Sequence, residues 1–111
     1  MANDFENRIA SGVGTARTDM YTTPSAVGKR SMIIGLELAN VTGSTITVDV
    51  EIYDNSATAY VVIGNNISIP ANSTLSFISG QKIVLNESDK LAVTSSASAS
   101  LNAIASILED I

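Results

Sequence analysis

The chain contains no cysteine and no histidine. Without cysteine it has no disulfide framework and no thiolate metal site. Without histidine, the commonest general base and the commonest metal ligand are both missing. Tryptophan is absent as well, and Phe5, Phe77, Tyr21, Tyr53 and Tyr60 are the whole aromatic set. Charge is scarce, at 15% of residues against roughly 25% in an average soluble domain. No apolar run approaches the ~20 residues that span a bilayer as a helix, so no membrane partner is expected. The basic residues Arg8, Arg17, Lys29, Arg30, Lys82 and Lys90 are scattered through a chain of net charge −5. No basic stripe exists to neutralise a phosphate backbone, and no nucleic-acid partner is expected. The N-terminal residues lack the charged-then-apolar layout of a signal peptide. The Asn-x-Ser/Thr triplets starting at Asn40, Asn66, Asn72 and Asn86 are read as chance products of polar loops.

What is present is alternation. In Thr45–Ile52, Ile46, Val48, Val50 and Ile52 fall on one side of a period-2 pattern, with Thr45, Thr47, Asp49 and Glu51 on the other. Successive side chains of an extended chain point to opposite faces, so this is a half-buried β-strand. Similar strands are expected at Arg8–Val13 (Ile9 and Val13 inward), Thr18–Thr22, Lys29–Asn40 (Ile34, Leu36 and Leu38 inward), Thr58–Ile63 and Asn66–Ile69. Thr74–Ile78, Gln81–Leu85 and Lys90–Thr94 continue the series. Asn40–Ser44 fits a hairpin loop, while Gly64-Asn65 and Ser79-Gly80 read as turns. Residues 101–111 admit two patterns. Leu101, Ala103, Ala105 and Ile107 align as a strand, whereas Leu101, Ile104, Ala105, Leu108 and Ile111 align as a helix. The strand is preferred, because the Ser/Ala alternation before it continues into it. The expectation is an all-β fold: one antiparallel β-sandwich of about eight strands over residues 9–111, jelly-roll-like or Ig-like, preceded by an N-terminal arm at 1–8.

Reactive constellations do not assemble. Gly12-Val13-Gly14-Thr15-Ala16-Arg17 begins like a dinucleotide-binding turn but lacks the third glycine and a following helix. In Gly28-Lys29-Arg30-Ser31, Arg30 occupies the position where a phosphate loop needs Ser or Thr. Ser79 and Lys82 have the spacing of a serine–lysine nucleophile, but on a turn rather than a helix start. Asp49 and Glu51 share a strand face about 7 Å apart. They are read as its solvated side rather than as paired catalytic carboxylates or a partial calcium site. Glu87 and Asp89 share a turn without the spacing of a calcium loop. No catalytic, cofactor or metal residue is expected, and the chain is read as not an enzyme.

A resemblance carries the reading further. Ile69-Pro70-Ala71-Asn72-Ser73-Thr74-Leu75, followed by Gly80-Gln81-Lys82-Ile83-Val84-Leu85 and Asp89-Lys90-Leu91-Ala92-Val93, resembles a pattern of small tailed-phage virion proteins of marine and cyanobacterial phages. Tyr21-Thr22-Thr23-Pro24-Ser25, the strand Ile33–Asn40 and the ending Ile107-Leu108-Glu109 are also similar to that family. The chain departs from it at Ser25, where alanine followed by glycine is common, and at Asn72, where glycine is common. Asn tolerates positive φ, so that second turn should survive.

The resemblance implies a virion structural protein, assembled in the host cytoplasm and repeated on the particle. Its partners would be the major capsid protein or tail and neck components, together with copies of itself, a trimer being one arrangement. A capsid decoration or cement subunit is the first reading. A tail, neck or fibre-base protein and a carbohydrate-binding host-attachment module are the alternatives. The expected interface residues are Phe5 and Arg8 on the arm, with Tyr21, Tyr53 and Tyr60 as aromatic anchors.

Overall fold

The computed structural model of the protein describes residues 3–26 and 28–110. Its strands are β1 (Asn3–Val13), β2 (Thr18–Thr22), β3 (Arg30–Asn40), β4 (Ile46–Asp54), β5 (Ala59–Ile69), β6 (Thr74–Leu85), β7 (Lys90–Ser95) and β8 (Leu101–Asp110). No helix forms among the described residues. Two four-stranded antiparallel sheets stack, with strand orders β1-β8-β3-β6 and β2-β7-β4-β5.

The pairings β1–β8, β2–β7, β3–β6 and β4–β5 make the chain one long hairpin. Asn3 faces Asp110 at its open end and Asp54 faces Ala59 at its tip. Rolling that hairpin over itself, with β3–β8 and β4–β7 closing the seams, gives a jelly roll.

The core lies between the sheets. Ile33, Leu36, Leu38, Leu85, Leu101, Ala105 and Ile107 from the first sheet meet Val48, Val50, Ile69, Leu91 and Val93 from the second. Each fully buried aliphatic side chain of this size contributes about 1.5–3 kcal/mol. The C-terminal segment is a strand, and Leu101, Ala103, Ala105 and Ile107 are its buried face as the period-2 alignment expected. Ile111 lies outside the described residues.

Several local expectations are corrected. Asn40–Ser44 does not join a hairpin, because β3 and β4 belong to different sheets and the connection crosses between them. Buried Asn40 organises that crossing. Its Nδ2 donates to the carbonyls of Ser44, Ile69 and Pro70 at 2.7, 3.0 and 3.1 Å, and its Oδ1 accepts from the Thr42 amide.

The supposed turns at Gly64-Asn65 and Ser79-Gly80 are bulges inside the continuous strands β5 and β6. Val48 pairs with Ile67 and Val50 with Gly64, leaving Asn65 and Asn66 as the irregularity. On β6, Ile83 and Ser79 face Ile33 and Gly35. A bulge inserts unpaired residues and exchanges the two faces of a strand. It does so again in β3 between Ile33 and Gly35, so Ile33 joins Leu36 and Leu38 inside while Ile34 is only half-buried. In β1 the shift lies between Ala10 and Val13, with Gly12 at φ +64°. Val13 therefore points inward as expected, but Ile9 is 67% exposed. Asn72 does adopt positive φ, at 57°.

Residues 3–8 are not an arm. They form the first half of β1 and pair with β8 from Asn3 onward. Met1 and Ala2 of the expected arm lie outside the described residues.

Candidate interaction surfaces

The outer face of the β1-β8-β3-β6 sheet carries an apolar row. Phe5 pairs with Leu108, Leu108 with Met32, and Met32 with Val84, so one line of apolar side chains crosses all four strands. Phe5 is 77% exposed and Val84 55%, with Leu108 and Met32 half-buried between them. Further along the same face, exposed Ile9 pairs with exposed Ile104. A shallow apolar depression there is lined by Ile9, Glu37, Ala39, Thr74, Asn102 and Ile104. Contiguous apolar surface rimmed by polar groups marks an interaction site more often than scattered exposed aliphatics do.

The outer face of the β2-β7-β4-β5 sheet is built differently. Asp19, Ala92, Glu51 and Val62 form a row across its four strands. Ala92 is small enough to let side chains from its neighbours close over it, and it is fully buried. Arg17, in the β1–β2 connection, lies across this row. Its Nε donates to Glu51 Oε1 at 2.9 Å and its Nη2 to Oε2 at 3.1 Å. Its guanidinium also stacks 3.8 Å above the Tyr60 ring. The hydrogen bonds to Glu51 hold the Arg17 guanidinium above its ordinary pKa.

Tyr60 donates to Asp19 Oδ1 at 2.9 Å, and Lys90 lies 3.8 Å from Asp19 Oδ2. Desolvation, and then this hydrogen bond, raise the Tyr60 hydroxyl pKa. Tyr53 packs on Tyr60 with ring centroids 4.9 Å apart and planes inclined at 57°. The two rings present no open flat platform, since Arg17 covers Tyr60 and the pair is tilted.

Three of the four carboxylates singled out by spacing are occupied within the chain, whereas Glu87 Oε2 is buried without a hydrogen-bond partner among the described residues. Glu51 is held by Arg17, while Asp49 accepts the amide of Asn66 at 2.8 Å and fixes the β5 bulge. Asp89 accepts the amides of Asn55 and Asn86 at 2.9 and 3.0 Å, clamping its own turn to the β4–β5 tip. No cluster of three or more metal-ligating acidic side chains forms among the described residues.

The expected interface residues separate. Phe5 is the most exposed of them and sits on the apolar row. Tyr53 and Tyr60 belong to the second sheet's polar cluster. Arg8 is folded back, its Nη1 2.5 Å from Glu6 and its guanidinium 5.3 Å above the Tyr21 ring. Tyr21 is not a surface anchor. It is 3% exposed, donates its hydroxyl to Glu109 and lies 2.6 Å from the Ser31 hydroxyl. Burial, then the Glu109 contact, pushes the Tyr21 hydroxyl up to about 12. The Glu6 carboxyl is held below its ordinary value by hydrogen bonding with Glu109 and with Arg8.

Sequence reasoning passed over Val84, Ile104 and Arg17. The signal for Val84 and Ile104 was present, because each is an aliphatic side chain between two inward-facing neighbours. Arg17 had no local signal, since its partner is distant in sequence.

No protein-family description matches the chain, and no curated protein matches it. Solved structures do share the fold. A chain from infectious bursal disease virus, Gx strain, superposes with a TM-score of 0.58 at 12% identity, over 98% of this chain and 33% of that one. A subunit of Bacillus endospore appendages, a family of disulfide-linked pili, superposes with a TM-score of 0.57 at 14% identity, over 97% of this chain and 85% of that one. A pentameric capsid protein isolated from metagenomic phage sequences matches more loosely, with a TM-score of 0.41 at 17% identity over 98% of this chain and 60% of that one, and carries no weight here. Identities this low establish a shared fold alone. Linkage through disulfides is closed to these 111 residues, which contain no cysteine.

Proposed function

We propose that the chain is a structural subunit of a tailed-phage virion, and most concretely a capsid decoration or cement subunit. The observation that carries this reading is the unbroken row Phe5–Leu108–Met32–Val84 across the outer face of the β1-β8-β3-β6 sheet. A subunit whose role is to hold a particle together needs a broad contact face and no reaction centre. Here Asp49, Glu51 and Asp89 are spent on a bulge, on Arg17 and on a turn, while apolar side chains are left on the outer sheet face. Covering apolar area contributes about 25 cal/mol per Å², so Phe5 and Val84, the exposed ends of the row, gain from a partner that covers it. The fold shared with a viral chain and a pilus subunit is compatible with this role. Covered and tilted rings at Tyr53 and Tyr60 argue against the carbohydrate-binding alternative.

The test is a binding assay on particles that lack the chain. Replacing Phe5 and Val84 together by glutamate is expected to lower occupancy at least about tenfold, a loss of ~1.4 kcal/mol, with an unchanged circular dichroism melt. Full occupancy of the double variant would overturn the proposed face. Imaging of the bound particles separates the two versions of the role, since a cement subunit covers the capsid lattice and a tail or neck protein occupies one ring.

A further inference from the structure

We propose that the partner of the apolar row is a second copy of this chain. The two β1-β8-β3-β6 sheets stack face to face about a two-fold axis lying along the Asn7–Ser106 row. This assignment rests on the reading of that face as a contact surface and names what covers it. β1 and β8 pair without irregularity from Asn3–Asp110 to Ala10–Ala103, so this half of the sheet keeps one register over eight residues. Outward along β1 come Phe5, Asn7 and Ile9, and their partners on β8 are Leu108, Ser106 and Ile104. The order on both strands is apolar, polar, apolar.

That order is self-complementary. An axis along the central row reverses the strand direction and leaves each strand over its own copy. Phe5 lies over Ile9 of the second copy and Leu108 over Ile104, and each contact occurs twice. The depression of about 260 Å³ beside Ile9 and Ile104 receives the Phe5 ring, which is 77% exposed in the single chain. The axial row continues from Ser106 to Gly35 and Ser79, so no large apolar side chain holds the two sheets apart along it.

Charge selects the same occupant. Two copies with net charge −5 repel each other wherever acidic groups meet. On β3 this face carries exposed Arg30 towards one end and exposed Glu37 towards the other. Reversal places Arg30 over the Ala39–Asn102 row of the second copy, ~7 Å along the strand from Glu37, a span that a guanidinium side chain covers. Asp110, beside Arg30 in register, falls over Asn102, and Lys82 falls over the uncharged Ser76–Ser79 segment of β6. No like charges are brought together.

Four strands ~4.8 Å apart and eight residues at ~3.4 Å each give a face of about 500 Å². A standard interface buries about 800 Å² per partner. The pair is therefore weak between free molecules and becomes significant where copies are bound side by side on a particle. Losing it lowers the occupancy of the Phe5/Val84 variant because each copy then binds alone.

Two variants of the full chain test partner and register together. Phe5→Lys and Ile9→Glu each place a charge at an exposed position, Ile9 being 67% exposed. Each alone is expected to weaken the concentration-dependent dimer of the parent in sedimentation at least about tenfold, with little change in the melt. Mixed one to one, they are expected to dimerise at least about tenfold more tightly than either alone. In the mixed pair the new ammonium faces the new carboxylate, and the other Phe5–Ile9 contact is intact. Phe5→Glu with Ile9→Lys is the reciprocal pair, and reads the same contact if either first variant melts early.

A parent chain that stays monomeric at high concentration overturns the proposal. So does a mixture that dimerises no better than its components in both pairs. A monomeric parent, with particle occupancy still lost in the Phe5/Val84 variant, removes this partner and leaves the particle-binding face standing. Recovery of the mixed dimer, with full occupancy of that variant, supports this partner and overturns the particle-binding face alone.

Discussion

On one side of the sandwich the edge strands are β1 and β2, and on the other they are β5 and β6. β2 is only five residues long and carries Asp19, while β1 carries the Glu6–Arg8 ion pair and a glycine bulge. β5 and β6 have 11 and 12 residues, their first charged side chain is Lys82, and each is interrupted by bulges. The same fold thus guards one side by brevity and charge and the other by bulges without charge. A jelly roll exposes both pairs of edges equally, so the difference comes from residue choice rather than topology.

The bulged side is breakable through Gly64. A Cβ built there would lie 2.5 Å from Ile67 Cδ1 and 2.8 Å from Phe77 Cε1, because Phe77 of β6 packs directly against the β5 backbone. Gly64→Ala is expected to destabilise the fold by about 1–3 kcal/mol. At roughly 4–8 °C per kcal/mol for a domain of this size, a thermal melt reads it clearly. An unshifted melt would mean that the two bulged edges are not packed together as described.

The side guarded by charge depends on the buried group Tyr21–Glu109–Ser31. Tyr21→Phe is expected to cost about 1–2 kcal/mol at neutral pH, because the Glu109 carboxylate then loses its hydroxyl donor in a buried setting. The same residue gives the alkaline signature. Its folded-state pKa lies above the ordinary 10.0, at about 12, so the folded protein holds that proton more tightly than the unfolded chain. The resulting stability is complete below pH 10 and is lost as pH rises through about 12. Denaturant melts across that window should fall for the parent chain, with a smaller fall for Tyr21→Phe.

The smallest effect on stability, and the sharpest on the comparison, comes from stripping the guard. Replacing Glu6 and Arg8 together by valine is expected to cost about 1 kcal/mol, as for a half-buried ion pair whose members also reach Glu109 and Tyr21. It should nevertheless create a concentration-dependent species that the parent chain lacks at that edge. Unchanged sedimentation would show that β1 is protected by its glycine bulge rather than by charge.

Alternation alone located most strands, and the buried face of β8 was legible residue by residue. Its period of 2 is a local property, requiring only that one face meet a core. Local pattern does not distinguish a bulge from a turn, since both favour Gly, Asn and Ser. Ser79-Gly80 and Gly64-Asn65 were consequently read as chain reversals, and Ile9 was assigned to the wrong face. Tyr21, an anchor by composition, is a core residue because β2, β3 and β8 bring Ser31 and Glu109 to its hydroxyl.

The sequence by itself determined an all-β domain, low in charge and without cysteine or histidine. Only the tertiary structure decided which strands pair, which sheet faces and edges remain open, and that Phe5, Leu108, Met32 and Val84 form one line. The reason is separation along the chain. Each jelly-roll pairing except the β4–β5 tip joins distant segments, and no window of neighbouring residues records which distant strand will lie beside it.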